Sequence, residues 1–307
     1  MSQALQPVVL CGAISPEREV SLRSGRAVAG ALEGSRLVEL DRNELPGWLD
    51  ASRHVVIPVI HGDYGEDGGV QADLDARGFA YAGCGAAASR LCLDKVATKR
   101  AMRAAGVPAI PEVAFAGAAK PTAAALVAEL GPQVVLKPAD KGSSVGLFVV
   151  DGEAAVAQAL AQIPASGQWM AERRLQGREM SIGLLGGQAM GLVEIVPRKG
   201  VYDYQSKYTK GSSDYVYPAP VPAELADRIR AAAEALFRAC GCRDFARADL
   251  FLEPDGRFYF LEINTMPGMT ETSLMPKSAS CAGLDFPALV QRMTAPAFAR
   301  AAARATR

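Results

Sequence analysis

The residues best suited to chemistry lie in one polar segment toward the C-terminus, residues 247–264. At its centre, Asp255-Gly256 is a strong signal for a two-residue hairpin turn. With that turn, Asp249 faces Glu262 across the two strands, and opposed residues share one face of a sheet. Such closely spaced oxygen ligands suit Mg²⁺ and not zinc.

The same pairing sets Arg247 opposite Asn264, which adds a guanidinium and an amide to that face. A three-residue turn would shift the register by one and scatter the carboxylates over both faces, so the metal hypothesis depends on the pairing. The alternative is an ordinary solvent-exposed polar face. A Gly-containing loop, residues 265–270, follows the candidate ligands, and its backbone N–H groups favour the catalytic interpretation because they suit a developing oxyanion.

A second candidate is the Gly- and Ser-containing segment 136–146, which lies between two apolar runs and carries Lys137 near its start. Its small residues and backbone amides suit phosphates, although an ordinary hairpin turn has the same composition. It lacks the Walker pattern. The segment Gly83–Ala88 imitates a dinucleotide fingerprint but has no acidic residue about 20 positions later, so we predict only a turn there.

Carboxylates also follow the predicted strands. Glu172 and Glu179 bracket a segment where the chain leaves one predicted domain for the next, a place suited to a purine or simply to exposed glutamates. Glu17 and His61 follow two parallel strands at the edge where substrate groups are usually held. Glu17 would alternatively complement a helix dipole, and His61 would alternatively pack in the core. Residues 202–208 are polar and aromatic, which fits a lid or an oligomer contact.

Composition narrows the class of protein. The 307 residues carry 33 basic and 33 acidic side chains, so no overall field attracts nucleic acid or an anionic membrane surface. No run of about 18 uncharged apolar residues occurs, and residues 1–9 lack a basic segment followed by a long apolar run, so we expect no secretory leader. Six cysteines without C-x-x-C spacing and two histidines disfavour zinc. We expect a cytoplasmic protein with unpaired thiols that acts on small molecules.

Strand-like runs alternate with helical patterns up to residue 93, which indicates a parallel α/β domain over residues 1–93. Two α+β units are predicted to follow, a small one over residues 94–174 and a larger one over residues 175–307. The strands are expected at 8–11, 55–60, 134–137, 147–150, 169–172 and 180–185. The helices are expected up to residue 32 and at 70–76, 94–105, 122–130, 223–240 and 287–307.

Taken in order, five segments resemble the D-alanine:D-alanine ligase family of the ATP-grasp superfamily, over nearly the whole chain. They are Ser15–Ser21, His61–Gly68, Lys137–Gly146, Tyr202–Tyr208 and Glu262–Thr270. The resemblance implies an ATP-grasp fold in which two α+β domains clasp ATP. It also implies ligation of two D-alanine molecules through an acyl phosphate, with release of ADP and phosphate, for peptidoglycan precursors, the cell wall and cell shape. Two Mg²⁺ ions, with Mn²⁺ as a substitute, and a homodimer are expected on the same ground.

The resemblance further implies a role for each matched residue. Glu17 would hold the ammonium of the first D-alanine within a hydrogen-bonded set that includes Ser143 and Tyr208, and His61 would lie near its carboxylate. The second carboxylate would bind Lys207, Ser273 and the Leu274 amide.

The remaining roles concern the nucleotide and the metal. Phosphates would contact Lys95 and Lys137. Adenine and ribose would bind Glu172, the Arg173 and Leu175 backbones, and Glu179. Metal ligands would be Asp249, Glu262 and Asn264. Arg247 and the Gly268 amide would stabilise the tetrahedral oxyanion.

Three departures from the family pattern concern local fit, namely Cys11, Met266 and the pair Arg173-Arg174. Tyr208 favours an amine acceptor, because relatives that make D-alanyl-D-lactate usually lack a tyrosine there. Competing hypotheses are another ATP-grasp ligase, a D-lactate-accepting relative and a catalytically silent ATP-binding module. The complete set of Asp249, Glu262, Asn264 and Arg247 argues against the silent module.

Overall fold

The computed structural model describes residues 5–140, 146–198 and 212–305, which form three β-sheets with flanking helices. The first sheet is parallel and has the strand order β2-β1-β3-β4. Its strands are β1 (Gln6–Gly12), β2 (Arg36–Leu40), β3 (His54–Pro58) and β4 (Ala80–Tyr81). The helices beside it are α1 (Arg18–Ala31), α2 (Gly69–Ala76) and α3 (Ala86–Leu93).

Strand β1 is buried almost throughout, as expected for a parallel strand covered on both faces. Helix α1 approaches this strand closely at Gly25. A Cβ on Gly25 would lie 2.4 Å from the Cβ of Cys11. Cys11, the first departure from the family pattern, is therefore accommodated because the facing helix position has no side chain.

The second sheet is antiparallel, in the order β5-β8-β6-β7. Its strands are β5 (Glu112–Ala116), β6 (Gln133–Pro138), β7 (Phe148–Asp151) and β8 (Gln168–Arg173). The helices of this part are α4 (Lys95–Ala104), α5 (Ala123–Leu130) and α6 (Glu153–Gln162). Helix α4 begins where the Asp94 carboxylate accepts hydrogen bonds from the N–H groups of Val96 and Ala97, at 2.9 and 3.0 Å.

The third sheet is antiparallel, in the order β11-β10-β9-β12-β13. Its strands are β9 (Arg178–Leu185), β10 (Gln188–Pro197), β11 (Ser213–Val216), β12 (Phe245–Leu252) and β13 (Phe258–Asn264). The remaining helices are α7 (Ala223–Ala239), α8 (Leu274–Ser280) and α9 (Phe286–Ala305).

The two faces of this third sheet differ in character. Alternate residues of β9, Met180, Ile182 and Leu184, are fully buried in one core with Ile229 of α7. The intervening residues of β9 therefore point to the opposite face. That face carries helix α8, whose Leu274 packs against Val193 and Ile195 of β10.

Helix α9 returns to the first sheet and ties the two ends of the chain together. Arg300 pairs with the buried Asp244 carboxylate at 2.5 Å and donates to the Tyr81 carbonyl at 2.7 Å. Asp244 also accepts the Gly83 N–H at 2.9 Å. Within the described residues, no helix combines the length and apolar character needed to cross a bilayer.

The parallel N-terminal sheet and the predicted strands of the first two sheets are confirmed to within about two residues at their ends. Prediction missed β2, β4, β5, β10, β11, α6 and α8. It also took Gly83–Ala88 for a turn, whereas α3 begins at Ala86. This eight-residue helix of mainly small residues gave little periodic signal. The sheets span residues 6–81, 112–173 and 178–264, within the three predicted domains, whose boundaries stay a prediction.

Candidate active site

The hairpin of β12 and β13 brings the candidate metal ligands together as predicted. Asp249 pairs with Glu262, and Arg247 pairs with Asn264. Paired residues of an antiparallel ladder point to the same face, so all four side chains lie on one side of the sheet. Ser181 of β9 pairs with Asp249 on its other edge and shares this face.

The predicted two-residue turn is wrong. The Glu253 N–H donates to the Arg257 carbonyl at 2.8 Å, so the turn contains three residues, Pro254, Asp255 and Gly256. Near the turn, Leu250 accordingly faces Phe260, one position out of the predicted register. A β-bulge between this pair and the Asp249–Glu262 pair absorbs Leu261 and restores the register at the ligand end.

Asp249 is buried, and its carboxylate accepts three hydrogen bonds from two side chains. Its carboxylate accepts from the Ser181 hydroxyl at 2.7 Å and from Arg247 Nε and Nη2 at 2.9 and 2.7 Å. The bidentate guanidinium neutralises the carboxylate and fixes its plane. Oδ1 accepts two of these bonds and Oδ2 accepts one, so they leave one lone pair of Oδ2 for a cation.

The other candidate ligands are less buried. The Lys95 ammonium lies 3.5 Å from the Glu262 carboxylate, and the Asn264 side-chain oxygen accepts the Met266 N–H at 2.9 Å. Among the described residues, no group of three or more His, Cys, Asp or Glu side chains is arranged to hold a metal. Two carboxylates and an amide nevertheless fit Mg²⁺, which typically takes one or two carboxylates and completes its shell with phosphates and water.

A buried ion cluster lies between the second sheet and helix α4. The Glu172 carboxylate, 3% exposed, contacts Lys137 Nζ at 2.7 Å and Lys99 Nζ on its other oxygen. Lys99 is fully buried, donates to the Ile110 carbonyl at 3.2 Å, and lies 3.9 Å from Glu112. Burial alone would raise the pKa of Glu172, but the ammonium groups of Lys137 and Lys99 lower it to about 2.

The segment between β8 and β9 offers main-chain groups at the predicted adenine site. The Arg173 N–H is already bonded to the Pro111 carbonyl at 3.2 Å. The Arg173 side chain lies 3.7 Å from Glu253 and over the Tyr259 ring, so this departure from the family pattern packs against the hairpin. Leu175 is buried with 8% exposure.

Glu179 occupies the same face of the third sheet as the metal ligands. It lies two residues before Ser181 on β9, and side chains two apart on a strand point the same way. Glu179 pairs in register with Phe251, which lies two residues after Asp249 on β12. The predicted ribose ligand and the predicted metal ligands therefore line one continuous surface.

The loops after β1 and β3 meet each other. A Cβ on Gly62 would lie 3.3 Å from the Glu17 carboxylate, so the two loops touch. The Ser21 hydroxyl joins the ends of the strands, donating to the Val59 carbonyl at 2.6 Å and accepting the Gly12 N–H at 2.8 Å. Glu17 and the residue that follows His61 are thereby brought together.

His61 is buried with 3% exposure, and its two ring nitrogens differ. Nδ1 lies 3.5 Å from the Glu66 carboxylate. Nε2 has no hydrogen-bond partner among the described residues. A buried polar atom without a partner is uncommon and is what a substrate group would satisfy.

The loop after β13, which we call the acceptor loop (residues 265–273), is held by its own side chains. The Ser273 hydroxyl accepts the Thr270 N–H at 3.1 Å and lies 2.9 Å from the Thr270 hydroxyl. A Cβ on Gly268 would lie 2.9 Å from the Ser273 oxygen. The absence of a side chain at Gly268 thus allows this close approach.

Met266 is the remaining departure from the family pattern. Its side chain is buried and lines a small apolar cavity together with Val59, which follows β3, Phe245 of β12 and Met293 of α9. Met266 therefore points into the core between the sheets, and the larger residue is accommodated there. Ser143, Lys207 and Tyr208 lie outside the described residues.

Sequence reasoning missed three site residues. Lys99 follows Lys95 by four positions on α4, a spacing that places both on one helix face and was an available signal. Ser181 meets Asp249 only through a non-local strand pairing, which a single sequence does not show. Lys277 follows Ser273 by four positions and lies beside the acceptor loop.

Comparison with known proteins agrees with this geometry. Residues 101–295 match the family model described as the D-ala D-ala ligase C-terminus. The chain is also 42% identical to a D-alanine–D-alanine ligase of Desulforudis audaxviator, across 93% of this chain and 96% of that relative. The chain belongs to the D-alanine–D-alanine ligase family. The resemblance inferred from the ordered motifs is confirmed.

Solved structures of this ligase family share the whole architecture. A D-alanine–D-alanine ligase from Bacillus anthracis complexed with ATP superimposes with a TM-score of 0.82 at 25% identity, covering 98% of this chain and 100% of that one. The VanG D-Ala:D-Ser ligase from Enterococcus faecalis gives a TM-score of 0.80 at 26% identity, covering 95% and 98%. The three-sheet molecule therefore has the predicted ATP-grasp fold.

Proposed function

We propose that this ligase joins two molecules of D-alanine into D-alanyl-D-alanine and converts ATP to ADP and phosphate. The dipeptide would supply peptidoglycan synthesis. The observation that carries the proposal is the single sheet face on which Asp249, Glu262, Asn264 and Arg247 converge, with Lys95 against Glu262. Carboxylates suited to Mg²⁺ beside a fixed guanidinium are what phosphoryl transfer followed by acyl transfer requires.

In the first step, the carboxylate of one D-alanine attacks the γ-phosphorus of ATP, forming an acyl phosphate and releasing ADP. Glu17 would hold the ammonium of this D-alanine, in a set with Ser143 and Tyr208, and His61 Nε2 would contact its carboxylate. Lys95 and Lys137 would contact the phosphates. Asp249, Glu262 and Asn264 would hold two Mg²⁺ ions, or Mn²⁺ in their place, which supply charge neutralisation on the phosphates when bound.

Binding of the nucleotide would involve the buried ion cluster. The Glu172 carboxylate holds the Lys137 ammonium at 2.7 Å beside the phosphate segment. Adenine would meet the Arg173 carbonyl, because the Arg173 N–H is already bonded, and the Leu175 N–H. Glu179 would accept hydrogen bonds from the ribose hydroxyls.

In the second step, the neutral amine of another D-alanine attacks the acyl carbonyl, and phosphate leaves from the tetrahedral intermediate. Arg247 and the Gly268 amide would stabilise the oxyanion. Lys207, the Ser273 hydroxyl and the Leu274 amide would hold the carboxylate of the attacking molecule. The proximity of Ser273 and Gly268 supports this pairing of roles, since a Cβ on Gly268 would lie 2.9 Å from the Ser273 hydroxyl oxygen.

Further parts of the proposal rest on the family resemblance and on composition. We place the enzyme in the cytoplasm, which suits its six free thiols, and expect a homodimer. Residues 1–93 would bind the first substrate, whereas 94–174 and 175–307 would enclose ATP.

The direct test is turnover by the purified chain. With ATP, Mg²⁺ and D-alanine it should release phosphate and form the dipeptide, measured by mass spectrometry. L-alanine and reactions without an amino acid serve as controls, and D-lactate and D-serine test the acceptor. If phosphate release does not depend on D-alanine, the proposal is wrong.

Replacement of Arg247 separates chemistry from binding. Arg247→Ala should lower kcat at least about a hundredfold, because one oxyanion donor is lost, while ATP binding stays largely intact. Arg257→Ala is the matched control, since that arginine lies in the same hairpin, is 59% exposed and pairs with the neighbouring carboxylates of Glu253 and Asp255. Loss of ATP binding in Arg247→Ala would instead assign Arg247 to the nucleotide site.

A further inference from the structure

Lys277 is a buried ammonium that the reaction scheme does not use. Its residue exposure is 8%, and within the described chain it belongs to no ion pair with a carboxylate. Its Nζ instead donates to the Thr272 carbonyl and lies 3.5 Å from the Glu271 carbonyl. Burial of a charged group without an opposite charge costs folding free energy. This cost indicates a role for the ammonium other than stabilising the fold.

Aromatic rings cover the other side of the ammonium. Nζ lies 4.6 Å from the ring centroid of Tyr215 on β11 and 5.9 Å from that of Tyr217. These distances are in the range of cation–π attraction. Lys277 therefore links α8, the carbonyls of the acceptor loop and the β11 edge of the third sheet.

The two carbonyls belong to the peptide groups that lead into Ser273. The Thr272 carbonyl shares its peptide group with the Ser273 nitrogen, and the Glu271 carbonyl belongs to the preceding peptide group. The Ser273 hydroxyl in turn accepts the Thr270 N–H, and a Cβ on Gly268 would lie 2.9 Å from its oxygen. Fixing these peptide groups consequently fixes Ser273 and the start of α8 at Leu274.

We propose that Lys277 is a positioning residue for the second substrate: its ammonium holds the acceptor loop so that Ser273 and the Leu274 amide meet the carboxylate of the attacking D-alanine. The proposal rests on the function proposed above for Ser273 and Leu274. Lys277 acts through the loop and does not itself touch the reacting atoms. Burial lowers the pKa of Lys277 to about 8, so the ammonium is still the main form at pH 7.

Kinetics of three variants test the proposal. Lys277→Met removes the charge at similar length and should raise the KM of the acceptor D-alanine at least about tenfold, since hydrogen bonds from a charged donor are lost. The KM for ATP should change less than about twofold, and a twofold change corresponds to well under 1.4 kcal/mol. Lys277→Arg keeps the charge and should restore most of the acceptor affinity.

The matched control is Lys120, which also donates to two main-chain carbonyls, those of Leu160 and Ile163, but lies in the second sheet's part of the molecule. Lys120→Met should leave the acceptor KM unchanged. An equal rise in the acceptor KM for both variants would mean general loosening and would overturn the assignment.

Amide hydrogen exchange gives a readout that does not need turnover. In Lys277→Met, exchange should rise in a peptide covering residues 268–274 and stay unchanged there in Lys277→Arg and Lys120→Met. Unchanged exchange in Lys277→Met, or faster exchange with an unchanged acceptor KM, contradicts the proposal. If the wild-type chain lacks D-alanine-dependent turnover, the proposed function fails, and exchange alone decides whether Lys277 orders this loop.

Discussion

Lys99 and Lys277 are both buried lysines beside the candidate site, and their surroundings differ sharply. Lys99 is fully buried and lies against the Glu172 carboxylate, with Glu112 at 3.9 Å. Lys277 has only carbonyls and aromatic rings as described partners. One ammonium is neutralised by carboxylates, whereas the other is held by dipoles.

This difference indicates what each lysine does. A buried pair of opposite charges becomes a liability when one member is removed, because the other charge stays buried alone. An ammonium that only holds carbonyls leaves no buried charge behind when it is removed. Replacement of Lys99 should therefore mainly lower the free energy of unfolding, and replacement of Lys277 should mainly raise the KM of the acceptor D-alanine.

The largest expected effect comes from Lys99→Met. It leaves the Glu172 carboxylate in the core with Lys137 alone and should lower the free energy of unfolding by about 3 kcal/mol. Urea unfolding followed by circular dichroism measures the change. Adding Glu172→Gln to Lys99→Met should recover part of the loss, since the buried charge is then gone. Wild-type stability in the single variant would break the comparison between the two lysines.

The hairpin shows how much of the site could be predicted from sequence. The Asp249–Glu262 and Arg247–Asn264 pairs followed from counting outward from Asp255-Gly256, yet the turn itself was assigned one residue too short. Two differences, the extra turn residue and the bulge at Leu261, cancel at the ligand end. A single sequence carries no local signal for that bulge, so the number of turn residues alone does not determine the pairing of Asp249 with Glu262.

The remaining gaps have a common cause. Local signals predict the fold class, the parallel first sheet and the helices with clear caps. The Asp94 cap of α4 is an example. Contacts between distant segments, such as Ser181 with Asp249 or Lys277 with Tyr215, depend on strand order. In the third sheet β9 lies between β10 and β12, and the spacing of residues along the chain does not predict that order.

Acidification provides an intermediate effect on the Lys99 side. The pKa of Glu172 is about 2 in the folded protein against an ordinary 4.5, so its stabilising contribution is present above pH 4.5 and is lost as the pH falls toward 2. The full loss corresponds to about 3 kcal/mol, of which about 2 kcal/mol falls between pH 6 and pH 3. Urea unfolding of wild type and Glu172→Gln at pH 6, 4 and 3 should show their difference shrinking over this range. A constant difference would mean that Lys99 and Lys137 do not lower the pKa of Glu172.

The smallest effect is expected from Lys277→Met on stability, and it sharpens the comparison because its sign changes with pH. The pKa of Lys277 is about 8 in the folded protein and about 10.5 when exposed, so the unfolded chain binds more protons between these values. Wild-type stability should therefore rise relative to Lys277→Met as the pH increases from 8 toward 10.5.

The titratable groups facing Nζ among the described residues are the phenols of Tyr215 and Tyr217, and Lys277→Arg is the non-titrating control for them. Thermal unfolding at pH 7 should give Lys277→Met a Tm equal to or slightly above that of wild type, with wild type gaining at pH 9.5. The change should be a few degrees at most, as expected for a difference of about 1 kcal/mol. A large loss of Tm at pH 7 would show that Lys277, like Lys99, chiefly stabilises the fold.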